Sequence, residues 1–232
     1  MIILGVETAT GQVGCALGGY EGVLASFHAA RGRRHAEVLT PAIEFVCRQA
    51  RIELSEISVV AVDLGPGLFT GMRVGVATAK AMAQALRVPM IGISSLDLLA
   101  FPVRHTDRLI AAAIDAKRNE VFCALYRPVP GGLQREEPYR VCSADDLASE
   151  LMAMNEDVLV VGDGGIRYAA NFDDAGHVEL ASVGFAYPSA AALVELAHPR
   201  AVREEFVPPW ELEPLYLRKS DAELRWSDRR PA

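Results

Sequence analysis

The sequence has few histidines and cysteines, and neither residue type occurs at the spacing of a metal site. Its five histidines form no HxxxH or HExxH pair, and its four cysteines form no CxxC pair. Zinc and iron sites ordinarily show such spacings, so we expect no bound metal. The dispersed cysteines also argue against a disulfide framework and predict a cytoplasmic protein with reduced thiols.

Long apolar runs and an excess of positive charge are missing as well. No run approaches the roughly 20 apolar residues that cross a bilayer, and the N-terminus has neither the basic nor the apolar region of a secretory signal. A formal net charge of -7 argues against a dedicated nucleic-acid binder. We interpret the basic stretch RGRR at 31–34 and the tail after residue 218 as solvated surface.

The sequence does contain a repeated order of secondary-structure elements. Alternating apolar residues and glycine turns predict three strands, a helix, a strand and a helix, and this order begins again after Pro102. It predicts an α/β protein with two similar halves facing a cleft. Each half has the βββαβα order of a ribonuclease-H-like domain, as in actin-like ATPases. We place the halves at 1–102 and 103–218, the second one reduced, with a polar tail at 219–232.

The most distinctive motif is the glycine-rich loop DLGPGLFTGMRVG at 63–75, between a predicted strand and a predicted helix. It matches neither the P-loop nor the dinucleotide fingerprint. Thr70 is a candidate N-cap, and the N-terminus of its helix could bind an anion. Acidic residues end several predicted strands. The candidate vestigial phosphate or nucleotide site comprises Glu7, Thr8, Gly65, Gly67, Thr70 and Asp163.

No catalytic constellation is visible. The sequence has no GxSxG elbow, and no Cys–His pair can be placed. The strand-ending acids, Asp63 and Asp115 among them, would converge in a cleft fold and could position magnesium and phosphate. Such acids are also common turn formers, and glycine turns that bind nothing are common too, so both interpretations stay open.

The helix behind the loop is apolar on nearly all sides. Gly71, Gly75 and Ala79 recur every four residues and leave a smooth face for close approach. We expect the helices at 35–51 and 70–86 to share a protein–protein interface, with packing wholly inside the domain as an equal alternative. The predicted interface residues are His35, Leu39, Ile43, Val46, Met72, Arg73, Val76, Ala79 and Met82. An arginine at Val76 or Ala79 is then expected to disrupt dimerisation more than folding.

Several stretches together resemble the bacterial TsaB (YeaZ) family, and they occur in the family's order. They are ILGVETAT at 3–10, RRHAEVLTPAI at 33–43, DLGPGLFTGMRVGVATAKAMA at 63–83, DAKRNEVFCALY at 115–126 and PLYLR at 214–218. The resemblance spans nearly the whole chain, and the glycine-loop block is its specific part. It implies a non-catalytic partner in the synthesis of threonylcarbamoyladenosine on transfer RNA.

The same resemblance separates this chain from the related catalytic subunit, TsaD, which holds a metal through two histidines. Ser95 and Leu99 stand at the matching positions, and neither can replace an imidazole ligand. The turn at 7–10 also departs from the Asp-x-Gly-Thr phosphate turn of the wider superfamily. The resemblance therefore implies no catalytic residue, no resident metal or cofactor, and ATP with magnesium only at a partner subunit or a shared interface.

The implied partners are a TsaD-like catalytic subunit, a small TsaE-like ATPase, a second copy of the chain when it is alone, and tRNA indirectly through the complex. No membrane is implied. Two other functions are kept as alternatives. One is an active ATP-dependent phosphotransferase or ATPase of the actin-like superfamily, and the other is a metal-dependent glycoprotease.

Overall fold

A computed structural model describes residues 1–30, 34–172 and 176–218. Most of the basic stretch at 31–34 and the predicted tail at 219–232 lie outside the described residues. The first elements are β1 (Ile2–Glu7), β2 (Val13–Gly19), β3 (Gly22–Ala29), α1 (His35–Ala50), β4 (Ile57–Asp63), α2 (Phe69–Leu86), β5 (Met90–Ile93) and α3 (Ser95–Ala100). The later ones are β6 (Leu109–Lys117), β7 (Glu120–Val129), β8 (Gly132–Arg135), β9 (Arg140–Ser143), α4 (Ala144–Ala153), β10 (Val158–Val161), α5 (Asp163–Arg167), β11 (Val178–Leu180) and α6 (Ala190–Val202).

The strands form two sheets with the same internal order. The first sheet runs β3-β2-β1-β4-β5. The second, written in the same sense, runs β8-β7-β6-β10-β11, with β9 also paired to β7. In both sheets an antiparallel meander is extended by two parallel strands. This repetition confirms the predicted duplicated ribonuclease-H-like fold. The second copy is reduced, since β10 has four residues and β11 has three.

Each sheet is covered on both faces, and two helices cover the sheet of the other half. α1 and α2 pack on one face of the first sheet and α6 packs on the other. α4 packs on one face of the second sheet, and α3 packs on the other. The division predicted at residue 102 therefore separates α3 and α6 from the sheets that they bury. None of the described helices is long and apolar enough to cross a membrane.

The helix ends are set partly by local capping residues and partly by tertiary contacts. Ser143 caps α4, because its hydroxyl accepts a hydrogen bond from the Asp146 N–H at 3.0 Å. α1 continues through Pro41, in agreement with the helix predicted at 35–51. The N-cap predicted at Thr70 is wrong, since Leu68 occupies the cap position and Thr70 lies exposed in the first turn of α2. The cause is tertiary: the Leu68 N–H donates to the Ala9 carbonyl at 2.6 Å.

Candidate functional site

The glycine loop packs directly against the turn that follows β1. A Cβ on Gly67 would lie 2.0 Å from the Ala9 carbonyl oxygen, and one on Gly71 would lie 2.1 Å from the Thr8 carbonyl oxygen. The Thr8 hydroxyl donates to the Gly71 carbonyl at 2.8 Å. These glycines therefore permit two backbones to touch. The chain's own atoms lie against the loop where a phosphate cradle was predicted.

The candidate phosphate residues come from both halves of the fold. Glu7, Thr8, Gly65 and Gly67 surround the first turn, whereas Asp163 lies in the second half, where it accepts the Asp115 N–H at 3.0 Å. Thr70 is exposed in the first turn of α2. Because the acids share a strand-end position, the sequence predicted that they would converge in a cleft. Two separate acidic pairs, one in each half, are what the fold produces.

The first pair consists of two completely buried acids, Glu7 and Asp63. The parallel register of β1 and β4 pairs Val6 with Val62, so the two acids follow on neighbouring strands. Asp63 Oδ1 accepts the Gly65 N–H at 2.8 Å and the Ser95 hydroxyl at 2.6 Å. Glu7 Oε1 accepts the Ala9 N–H at 2.9 Å. The second oxygen of each acid is buried and has no hydrogen-bond partner among the described residues.

Burial controls the charge of this pair. It raises the pKa of Asp63 to about 7, although the hydrogen bonds from Ser95 and Gly65 oppose the rise. Burial, and then the neighbouring Asp63 charge, raises the pKa of Glu7 well above its usual value. Both acids therefore release their protons at a higher pH than exposed acids do. Ser95, which the resemblance compares with a metal-binding histidine, donates its hydroxyl to Asp63, and Leu99 lies in the core.

The pair predicts that stability falls as pH rises from about 4 to about 7. In this window the native chain keeps protons that the unfolded chain has released. The free energy of unfolding therefore falls by about 1.4 kcal/mol per pH unit for each extra proton that the native chain holds. Asp63→Asn keeps the acceptor oxygen but cannot ionise, so its denaturant midpoint should depend less on pH. Urea unfolding at several pH values measures this. Parallel wild-type and Asp63→Asn profiles would contradict the assignment.

The second pair consists of Asp115 and Asp163, and Asp115 lies beside two cationic side chains. Asp115 makes an ion pair with Lys117 and another with Arg167 at 3.3 Å, and accepts the Tyr168 hydroxyl at 3.1 Å. Burial acts to raise the pKa of Asp115, but the hydrogen bonds and charge of Lys117 outweigh it and lower the pKa. The charge of the Asp115 carboxylate is therefore balanced by Lys117 and Arg167. Within the described ranges, no three His, Cys, Asp or Glu side chains are placed to hold a metal ion.

A cavity of about 300 Å³ separates the glycine loop from the Asp115 end of the second sheet, and the C-terminal segment borders it. The Leu215 N–H donates to the Leu64 carbonyl at 2.8 Å. The Tyr216 ring lies 5.3 Å from the Phe69 ring, and its hydroxyl accepts the Arg73 Nε–H at 3.1 Å. The PLYLR stretch therefore ties the last described residues to the glycine loop.

Most of the predicted interface residues lie in the protein's own core. His35, Leu39, Val46, Val76 and Ala79 are at most 5% exposed. Buried likewise are Ile43 and Met72. His35 Nε2 bonds the Thr10 carbonyl at 2.9 Å, which gives it an internal role. The stripe of Gly71, Gly75 and Ala79 faces inward, and a Cβ on Gly75 would lie 2.2 Å from the Thr8 hydroxyl. Because both positions are buried within the chain, an arginine at Val76 or Ala79 is expected to destabilise the fold itself. The sequence had predicted a larger effect on dimerisation than on folding.

The same two helices leave a different surface open. A groove of about 790 Å³ runs between α1 and α2. Its apolar lining is Ile43, Cys47, Ile52, Leu54 and Met82. Charged side chains from α1 and the following turn form its rim: Glu44, Arg48, Arg51 and Glu53. Thr40 and Thr78 complete the lining. An apolar floor with a polar rim is the usual anatomy of a protein–protein interface.

Of the predicted interface residues, only Ile43 and Met82 line this groove. Sequence reasoning missed Thr78 and Leu54. Thr78 is one of the few polar residues of α2, and Leu54 is an apolar residue, 46% exposed, just past the end of α1. Both residues are visible in the sequence, but the regular stripe of Gly71, Gly75 and Ala79 is the more conspicuous pattern and directed the prediction to the other face of α2. Arg73 is exposed, but its guanidinium lies 3.8 Å over the Phe69 ring and serves the C-terminal segment.

Comparison with solved structures defines the class of fold. Component A of (R)-2-hydroxyglutaryl-CoA dehydratase from Acidaminococcus fermentans matches 87% of this chain and 99% of its own with a TM-score of 0.50 at 10% identity. The crystal structure of YeaZ from Pseudomonas aeruginosa matches 93% of this chain and 99% of its own with a TM-score of 0.81 at 26% identity. The protein thus has the duplicated fold of the actin-like ATPase class.

Sequence comparison narrows this class to a family. The model of the family described as TsaD, tRNA N6-adenosine threonylcarbamoyltransferase, matches residues 22–226. A protein of Bacillus subtilis named tRNA threonylcarbamoyladenosine biosynthesis protein TsaB is 29% identical over 97% of this chain and 98% of its own. The chain belongs to the TsaD family and, within it, to the TsaB (YeaZ) group.

Proposed function

We propose that this protein is a non-catalytic scaffold subunit in the biosynthesis of threonylcarbamoyladenosine on tRNA, and that it binds a TsaD-like catalytic subunit through the α1–α2 groove. The biosynthetic role is supported by full-length relatives named for that process. The observation that carries the partner role is the groove itself, an apolar floor between two helices that the described residues leave uncovered.

The non-catalytic part of the proposal is supported by how the glycine loop is used. Gly67 and Gly71 lie against the backbone of residues 8 and 9, so the loop is occupied by its own chain. Ser95 and Leu99 replace the two metal histidines that the resemblance attributes to the catalytic relative, and both are buried in internal contacts.

The proposal has further parts that follow the resemblance. The scaffold helps to recruit a TsaE-like ATPase to the catalytic subunit, and tRNA reaches the complex through its partners in the cytoplasm. In the absence of the catalytic subunit, a second copy of this chain covers the same groove. The homodimer and the heterodimer then exclude each other, because both bury the surface between α1 and α2.

Thr78→Arg tests the groove. Thr78 is half-buried on the groove side of α2, so an arginine can reach solvent in the free protein but obstructs a docked helix. We expect affinity for the TsaD-like subunit to fall by about 100-fold, the order of a truncated interface hot spot of 2–3 kcal/mol. Isothermal titration calorimetry with the catalytic subunit from the same organism measures the change.

The matched control is Ser149→Arg, which adds the same side chain at an exposed position of α4. This variant should bind like the wild type. Circular dichroism should show the same thermal midpoint for both variants. Equal affinity of Thr78→Arg and Ser149→Arg for the partner would place the interface elsewhere, and no measurable binding of the wild type would remove the scaffold proposal.

A further inference from the structure

Two cysteines from separate strands meet in the second sheet. Cys123 lies in β7 and Cys142 lies in β9, with their sulfur atoms 3.5 Å apart. The antiparallel register pairs Cys123 with Arg140 and Val121 with Cys142, so the cysteines are diagonal neighbours on one face. That face is covered by α4. Either sulfur can donate its hydrogen to the other.

One cysteine of the pair is partly accessible to solvent, and it lies on a short strand that has a neighbour on one side. Cys123 is buried, but Cys142 is partly accessible. β9 has only four residues, all half-buried, and pairs with β7 alone. A strand held on one side can shift more easily than a central one. Disulfide sulfurs lie about 2.0 Å apart, so closure needs a movement of roughly 1.5 Å.

The surroundings separate this pair from the other cysteines. The hydrogen bond from Cys142 lowers the pKa of Cys123, burial opposes this, and Arg140 adds to the lowering. The same hydrogen bond, together with burial, raises the pKa of Cys142. Burial raises the pKa of Cys15 to about 12 and also raises that of Cys47. Thiolate character therefore concentrates in the Cys123–Cys142 pair.

We propose that Cys123 and Cys142 form a reversible dithiol–disulfide pair that reacts with low-molecular-weight disulfides. The site is independent of the α1–α2 groove, because it lies in the second sheet. It gives the chain a modification site outside its partner-binding surface.

The exchange proceeds in two steps. Cys142 is the accessible sulfur and attacks one sulfur of the small disulfide. As it attacks, its proton passes along the hydrogen bond to the Cys123 thiolate, and a small thiolate leaves. A mixed disulfide on Cys142 results. Cys123 then loses its proton and attacks the Cys142 sulfur, releasing the second small thiol. The two protein thiols lose two electrons and two protons, and the small disulfide becomes two thiols, so the reaction balances.

The test treats the full-length native protein with oxidised glutathione at neutral pH, followed by acid quench, alkylation and mass spectrometry. The wild type should lose two of its four thiols, and peptide mapping should link Cys123 to Cys142. Dithiothreitol should restore both thiols. Cys123→Ser should stop at one glutathione on Cys142, whereas Cys142→Ser should react at least about tenfold more slowly than the wild type. Cys47→Ser is the control and should close normally.

Three results would overturn the proposal. A wild-type mixed disulfide that never closes would show that β9 cannot move. A disulfide linking another pair of cysteines would show that proximity of these sulfurs does not decide reactivity. Equal rates for Cys142→Ser and the wild type would remove Cys142 as the entry point. Since the peptide map is obtained on the wild type, it decides the question even where a variant fails to fold.

Discussion

Ala79→Arg is expected to unfold the protein rather than merely to separate it from a partner. Ala79 exposes none of its surface and belongs to the core between α1, α2 and the first sheet. An uncompensated charge in such a place costs about 3–5 kcal/mol, a large share of the roughly 5–15 kcal/mol that holds a domain folded. Thermal unfolding followed by circular dichroism should show a sharply lowered midpoint or no folded state.

Ala77→Arg provides the matched control on the same helix. Ala77 is exposed, so an arginine there remains in water, and a change within about 0.5 kcal/mol is expected. Two residues thus separate a core position from a surface position. A folded Ala79→Arg variant with the wild-type midpoint and a specific loss of association would show that this face of α2 is an interface after all.

Gly67→Ala is expected to give the second largest loss of stability. The added methyl group would lie 2.0 Å from the backbone oxygen of Ala9 and 3.3 Å from its Cβ. Backbone cannot move aside as the end of a flexible side chain can, so the loop or the first turn must shift. Overpacking of this kind costs about 1–3 kcal/mol. Urea unfolding of the variant at a fixed pH measures the loss.

Gly11→Ala isolates the cause of that loss. Gly11 lies in the same turn region, but the nearest atoms to its added methyl group belong to Tyr187 at 3.7 Å, an ordinary contact. We expect an unfolding free energy within about 0.5 kcal/mol of the wild type. An equal loss in both variants would show that glycine flexibility, rather than close backbone contact, explains the loop.

The predictions that succeeded depend on short segments of the chain. Apolar alternation and glycine turns are local, and they yielded the duplicated fold and its reduced second copy. Ser143 acts on an N–H three residues away, so its capping role could be read from the sequence. Thr70 failed because the start of α2 is fixed by a hydrogen bond from Leu68 to Ala9, which no local pattern reveals.

The candidate site was harder to predict because its contacts join distant segments. The stripe of small residues on α2 correctly indicated a close backbone approach, but not which backbone. The partner is Thr8, 63 residues from Gly71. Similarly, α6 returns to cover the first sheet, and Cys123 meets Cys142 across two strands. Periodicity shows that a face is buried, and only the fold shows what buries it.

Hydrogen–deuterium exchange of the chain with and without its TsaD-like subunit is the most direct test of the partner surface. Complex formation should slow amide exchange in α1 and in α2 around the residues that line the groove, among them Thr40, Thr78 and Met82. Amides of α4 and β9, in the second sheet, should exchange as in the free protein. Protection confined to the second sheet, with α1 and α2 unchanged, would contradict docking at the groove.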